Sequence, residues 1–299
     1  MGRRIAFSRT CSVMWGSWQG FSQPLNLTHD TLRELLDGGQ SFRWRTVPGD
    51  SCWQGVFGHN LVQVRLEGNR EVEFRIREGY GSVREVEAYF AINFDWAACQ
   101  DALPWRSDPH LENCMKAFPG LRILRQPFGE TLFSFICSTA RQIVQIKQCC
   151  ETVAERFGES LGCGTHAWPD WKVLSEIPEK ELRACKLGYR ARYISETATI
   201  LTADSGFEKK LLASPVRDAK SMLMSLPGVG AKVADCVLLF GAGKLEAFPV
   251  DTWIKKSISR VYGLDDSIPT GMARFGRIHF GKAAGLAQQF LFAWERSQP

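Results

Sequence analysis

Residues 223–240 read LMSLPGVGAKVADCVLLF, and no other string constrains the fold as tightly. An apolar helical run reaches Leu226-Pro227-Gly228-Val229-Gly230, and a second apolar helix starts at once. Pro227 has no N–H with which to continue the first helix, while Gly228 and Gly230 allow positive φ and close backbone approach. The free amides at the start of the second helix then point outward, where the helix dipole favours an anion. The unit, at about 216–241, is a phosphate-sized site made of backbone, which reads no base sequence. A P-loop is the competing pattern, but its Gly-Lys-Ser/Thr ending is missing and no strand precedes the turn. A plain turn between helices is the alternative without function.

The hydrophobic period divides the rest of the chain. Trp53–Phe57, Leu61–Leu66 and Glu71–Ile76 are short runs rich in Val, Phe and Trp, separated by Gly58-His59-Asn60 and Glu67-Gly68-Asn69-Arg70. LVQVRL and EVEFRI alternate apolar and polar residues, as a half-buried antiparallel sheet requires. From about Val83 the period is helical to the end. Pro104, Pro109, Pro119 and Pro127 punctuate a connecting region. Helices are expected at Glu130–Phe157, Trp171–Lys186, Arg192–Ala203, Val216–Ser225, Ala231–Gly241, Thr252–Tyr262 and Phe280–Glu295. The fold class is α+β: an antiparallel sheet domain over residues 1–110, then an all-helical domain over 111–299. The first thirty residues form either a tail or an extra strand.

Composition removes several classes of protein. With 299 residues, 44% hydrophobic and 23% charged, the chain has enough apolar material for about two cored domains. The net charge of +5 announces no partner by itself, but its address is informative. Between Glu181 and Arg260 lie thirteen Lys or Arg and eight Asp or Glu, an excess equal to that of the whole chain. That is either an ordinary solvated face or a surface turned towards phosphates. Ten cysteines are scattered without a CxxC pair, and the opening MGRRIAFSRTCSVMW lacks the apolar core of a secretory signal. Reduced thiols in an intracellular protein are expected. The longest apolar stretches, Leu132–Cys137 and Cys236–Gly241, fall far short of the roughly 18 residues of a membrane span.

Lys232 falls on the first turn of the second hairpin helix, and Asp251 follows nineteen residues later in Phe248–Trp253, placed to cap the next helix. A lysine near backbone amides and a helix amino terminus feels positive potential, which favours its free amine. Such an amine can attack a sugar C1′, displace a base and leave a Schiff base. An adjacent carboxylate would stabilise the oxocarbenium-like charge. Singly, Lys232 is a surface lysine and Asp251 an N-cap. Their pairing on the hairpin points to chemistry.

With these residues in place, the chain resembles the 8-oxoguanine DNA glycosylase/lyase family, in the helix-hairpin-helix superfamily with a Gly/Pro…Asp loop. The resemblance runs through GQSFRW (Gly39–Trp44), ILRQPFGETLFSFICS (Ile123–Ser138), KLGYRARYIS (Lys186–Ser195), LPGVGAKVADC (Leu226–Cys236), PVDTW (Pro249–Trp253) and GLAQQFLF (Gly285–Phe292). It implies a TBP-like sheet domain, Lys232 as Schiff-base nucleophile and Asp251 as catalytic aspartate. It implies that the Gly39 carbonyl accepts the N7 hydrogen that separates 8-oxoguanine from guanine, although in DGGQ alone Gly39 is a turn glycine. By the same resemblance Gln288 reads the Watson–Crick edge, and Phe292 and Cys236 sandwich the flipped base. By periodicity alone both would be core. Tyr189 and Arg190, in an exposed Tyr-Arg-Ala-Arg run, match residues that wedge into the duplex and contact the orphaned base.

The departures bear on specificity. Family members carry an Asn triplet where this chain reads Thr139-Ala140-Arg141-Gln142, and a cytosine-reading arginine falls on Gln145. Arg141 or Gln142 is the candidate to fill the gap left by the flipped base. Loss of two of three cytosine-reading positions relaxes the expected preference for cytosine. Trp253 stands where some members have histidine. Cys236 is the last cysteine, so no iron–sulfur loop follows Asp251. The expectation is a bifunctional DNA glycosylase and AP lyase, monomeric, acting on duplex DNA containing 8-oxoguanine. No organic cofactor and no side-chain metal site are expected. A structural cation on hairpin carbonyls around Gly228–Val229 is allowed. The alternatives are a monofunctional alkylated-base glycosylase and a non-catalytic DNA-binding module.

Overall fold

The computed structural model describes residues 14–298 apart from 69, 163 and 266, so MGRRIAFSRTCSV, Cys11 and Cys163 lie outside it. Among the described residues, an antiparallel five-stranded sheet has the order β1-β5-β4-β3-β2. Its strands are β1 (Gln19–Gly20), β2 (Trp44–Thr46), β3 (Trp53–Phe57), β4 (Asn60–Glu67) and β5 (Glu71–Ile76). The alternation read from LVQVRL and EVEFRI holds in part: Val62, Val64, Val72 and Phe74 are fully buried on one face, but Leu61 and Gln63 of β4 are buried on the other as well. The other face holds Arg65 and Arg75, each 4.4 Å from the Trp18 ring. Gln19 and Gly20 pair with Phe74 and Glu73, so part of the first thirty residues is an extra strand.

The helices are α1 (His29–Asp37), α2 (Val83–Tyr89), α3 (Trp96–Asp101), α4 (Pro109–Ala117), α5 (Phe128–Ile136), α6 (Ile143–Phe157), α7 (Trp171–Glu176), α8 (Glu179–Leu182), α9 (Arg190–Ala203), α10 (Phe207–Ala213), α11 (Val216–Met224), α12 (Ala231–Phe240), α13 (Thr252–Tyr262), α14 (Pro269–His279) and α15 (Ala284–Ser297). A two-stranded hairpin, β6 (Ser160–Gly162) and β7 (Thr165–His166), follows α6. Among the described residues no helix is long and apolar enough to cross a membrane.

The chain departs from its sequence reading where helices break or begin. The long helix expected over Glu130–Phe157 is two, α5 and α6, separated by Cys137–Gln142 with Ala140 at φ +52. No Pro or Gly marks that break. The Trp171–Lys186 helix is also divided, at Pro178, whose ring disfavours helical backbone at Ile177. It then kinks at Lys186, φ +62. Helices α1, α2, α3, α4, α10 and α14 were not singled out, nor were strands β2, β6 and β7, the last two of which interrupt the part expected to be all-helical. α1 and α4 are short but properly capped: Thr28 Oγ1 accepts from Thr31 N at 3.1 Å, and Asp108 Oδ1 from Leu111 N at 3.0 Å. α14 was masked by Gly271 and Gly276, yet a Cβ at Gly276 would stand 2.6 Å from the Phe248 ring, so close packing requires the glycine.

One buried cluster runs from Phe21, Trp44 and Phe74 under the sheet to Phe133, Phe248 and Phe290 among the helices. The sheet and helical parts therefore share a core. Gln40 ties them: its Nε2 donates to Arg122 O at 2.9 Å, its Oε1 accepts from Leu124 N at 3.1 Å, and Gln126 Nε2 donates to its carbonyl at 2.6 Å. The loop after α1 is thereby fixed against the helical part.

Candidate active site

The hairpin joins α11 and α12. Gly228 has φ +76, and a Cβ there would meet Tyr193 Cδ2 at 2.5 Å, so glycine is required twice over. Gly230 differs from expectation: its φ is −89, in extended backbone. Nothing lies within 4 Å of a Cβ built on it, and the open space in front of the α12 amides is what the glycine preserves. Lys220 of α11 reaches the buried Asp235 of α12 at 2.6 Å and braces the pair.

Lys232 stands on the first turn of α12. Its Nζ donates to Ser138 Oγ at 3.1 Å and lies 5.5 Å from the Phe135 ring centre. Ser138 in turn donates to Phe135 O at 2.7 Å, which fixes the hydroxyl that receives the lysine. Cys236 is four residues on and so shares the lysine's face. Burial pushes its thiol up to about 12, so it is a neutral wall rather than a nucleophile.

Asp251 is the N-cap of α13, and its Oδ1 accepts from Ile254 N at 2.9 Å. Burial raises its pKa above the ordinary carboxylate value; the Ile254 amide and the Lys232 ammonium oppose that rise. Gln288 and Phe292 lie one turn apart on α15. Gln288 is 3% exposed, and Gln289 Nε2 donates to its Oε1 at 2.9 Å. Gly39, in the loop after α1, has φ +107; a Cβ there would stand 3.2 Å from Ile143 Cδ1 and 4.0 Å from Phe292 Cζ. The glycine thus packs against Ile143, with the edge of the Phe292 ring next to it.

These stretches enclose one cavity of about 970 Å³, lined by Gly39, Lys232, Cys236, Asp251, Gln288 and Phe292. Gly228, Gly230, Arg141 and Gln142 border the same space, which is large enough for a purine and its sugar. Tyr189 and Arg190 do not line it. Tyr189 is exposed, as a wedge requires. Arg190 is not exposed as the sequence reading had it: it is 5% accessible, stacks 4.3 Å from the Tyr189 ring and donates to Thr139 O. Arg141 is likewise turned inward, to Cys149 Sγ at 2.6 Å and Lys186 O at 2.5 Å. The two arginines hold the 137–142 loop from behind.

Residues 24–132 match the family described as 8-oxoguanine DNA glycosylase, N-terminal domain, and residues 133–275 match the HhH-GPD superfamily of base excision DNA repair proteins. The chain is 32% identical to the N-glycosylase/DNA lyase OGG1 of Arabidopsis thaliana, across 91% of this chain and 80% of that relative. It is 30% identical to the probable N-glycosylase/DNA lyase of Methanothermobacter thermautotrophicus, across 77% of this chain and 81% of that one. The crystal structure of Clostridium acetobutylicum 8-oxoguanine glycosylase/lyase, bound to double-stranded DNA with cytosine opposite 8-oxoguanine, superposes with a TM-score of 0.81. That match is 30% identical and covers 94% of this chain and 98% of the other. The chain belongs to the 8-oxoguanine DNA glycosylase family.

As an 8-oxoguanine DNA glycosylase family member, the chain has a structural account of its departures. Gln145, where the cytosine-reading arginine was expected, accepts from Gln142 N at 3.1 Å and so serves the start of α6. Trp253 is exposed beside Lys256, whose Nζ is 5.7 Å from its ring. Sequence reasoning missed Ser138, for which no local signal exists. It also missed Arg296, which repeats the four-residue spacing of Gln288 and Phe292 on α15 and borders the cavity.

Proposed function

We propose that this chain removes 8-oxoguanine from duplex DNA as a bifunctional DNA glycosylase and AP lyase. The observation that carries the reading is the convergence of Lys232 and Asp251, from two helices, on one cavity that also holds Gly39, Cys236, Gln288 and Phe292. The flipped base enters between the Cys236 thiol and the Phe292 ring. The Gly39 carbonyl accepts the N7 hydrogen that only the oxidised purine carries, and Gln288 reads the Watson–Crick edge. Lys232 Nζ, as the free amine, bonds to C1′ as the glycosidic bond breaks and the base leaves with the bonding electrons. Asp251 stabilises the positive charge that develops on the sugar. Opening of the sugar gives a Schiff base, which makes the C2′ proton acidic, and the 3′ phosphate then leaves by β-elimination.

The amides at the start of α12, cleared by Gly228 and Gly230, hold a backbone phosphate. Tyr189 enters the duplex, Arg190 meets the orphaned base once its bond to Thr139 O is exchanged for DNA, and Arg141 or Gln142 fills the gap left by the flipped base. The chemistry uses no organic cofactor. A structural cation fits the turn, because among the described residues no donor reaches the carbonyls of Gly228 and Val229. The same reading makes the enzyme a monomer that works in the DNA-containing compartment of the cell. The test is release of 8-oxoguanine from duplexes carrying each of the four bases opposite it. Release at roughly equal rates is expected, since the Asn triplet is absent and Gln145 is occupied. A strong cytosine preference would show that Arg190 suffices for that check, and no release from any duplex would overturn the function.

A further inference from the structure

We propose that Arg296 is a positioning residue for base discrimination, fixing the Gly39 carbonyl relative to the Phe292 ring; this rests on reading the cavity as the 8-oxoguanine site. Its Nη1 donates to Gly38 O at 2.6 Å and to the two Glu34 carboxylate oxygens at 3.1 and 3.2 Å. The same guanidinium lies 5.2 Å from the Phe292 ring centre. One planar cation therefore joins the end of α1, the peptide before Gly39 and the ring on which the base stacks.

The neighbouring groups leave little freedom. Arg296 takes the Gly38 carbonyl and Gln126 takes the Gln40 carbonyl, at 2.6 Å each. Between them, no donor among the described residues reaches the carbonyl of Gly39. The loop thus presents one free acceptor framed by two occupied ones. Gly38 is glycine for the same reason: a Cβ would stand 2.2 Å from Glu34 O and 2.3 Å from Glu34 Oε1, displacing the carboxylate that Arg296 grips. Burial raises the Glu34 pKa above the ordinary carboxylate value, and Arg296 is the main influence that opposes the rise.

Discrimination between 8-oxoguanine and guanine by one carbonyl depends on a donor–acceptor distance near 3 Å, and a displacement of about 1 Å forfeits it. Schiff-base formation and β-elimination at an abasic site need no base in the pocket. The two activities therefore separate a positioning role from a general loss of structure. Arg296→Leu keeps the packing against Phe292 and removes the donors; Arg296→Lys and Glu34→Gln weaken the grip without emptying the site. The measurement is the single-turnover rate of 8-oxoguanine excision divided by the rate of β-elimination at a preformed abasic site, on the full chain. The ratio is expected to fall roughly tenfold or more in Arg296→Leu and by less in the two milder variants. A wild type that excises 8-oxoguanine, with an unchanged ratio in all three variants, overturns this proposal alone. A wild type that cleaves abasic sites but releases no 8-oxoguanine overturns the reading of the site and this proposal with it.

Discussion

Asp251 is asked to do two things that conflict. Its carboxylate caps α13 through the Ile254 amide and stands beside Lys232, yet burial disfavours its charged form. Its pKa is higher in the folded than in the unfolded chain, so the native state binds more protons over the interval between the two values. The stability it contributes is whole below the unfolded pKa and lost as pH rises through the folded one. Asp251→Asn retains a good N-cap and removes the buried charge. Calorimetry at neutral pH is expected to give a Tm at or above wild type, while 8-oxoguanine excision falls by roughly a hundredfold or more. A large drop in Tm would show instead that the charge stabilises the fold. At this scale the sequence was only partly legible. Lys232 and Asp251 announced themselves through the hairpin and the helix cap. Cys236 and Gln288 are buried like core residues, and only the cavity beside them distinguishes a wall from a filling.

Among the elements, the hairpin separates two uses of glycine that look alike in LPGVG. Gly228→Ala meets both a left-handed backbone and the Tyr193 ring, and is expected to lower stability by about 1–3 kcal/mol. Gly230→Ala meets neither, so it is expected to melt near wild type. Its methyl instead occupies the space before the α12 amides, and titration of abasic-site duplex should show weaker binding than wild type. Equal binding by Gly230→Ala would mean that no phosphate approaches there. The α5–α6 break was invisible to periodicity because no residue in Cys137–Gln142 forbids a helix. Arg141, bonding out of the break to Lys186 O, and Arg190, bonding into it at Thr139 O, hold it by tertiary contact. Strands β3, β4 and β5 were legible because each carries its own period and turn, with Asn60 pairing Phe57 at the β3–β4 corner, whereas β2, β6 and β7 are too short to show a period.

Over the whole molecule, the excess charge is more local than its sum. Of the thirteen basic residues between Glu181 and Arg260, Arg183, Arg192, Lys210, Lys220, Lys256 and Arg260 are in ion pairs. Lys232 and Arg190 have no carboxylate partner among the described residues and bond instead to Ser138 Oγ and Thr139 O. The continuous core carries another buried acid, Glu130 on α5, whose Oε2 has no partner among the described residues. Burial pushes its pKa up to about 7, against the pull of Arg43. Its share of the stability is therefore lost as pH rises from the ordinary carboxylate range through about 7. Denaturant unfolding is expected to show Glu130→Gln gaining on wild type as the pH is raised from about 5 to 8. A constant difference across that interval would place the titration elsewhere. The central claim, that Lys232 bonds covalently to the sugar from which the base departs, is tested most directly by borohydride trapping on duplex DNA containing 8-oxoguanine. Wild type should yield a stable protein–DNA adduct attached at Lys232, and Lys232→Gln should bind the duplex without forming it. No adduct from an active wild type, or an undiminished adduct from Lys232→Gln, would contradict the account.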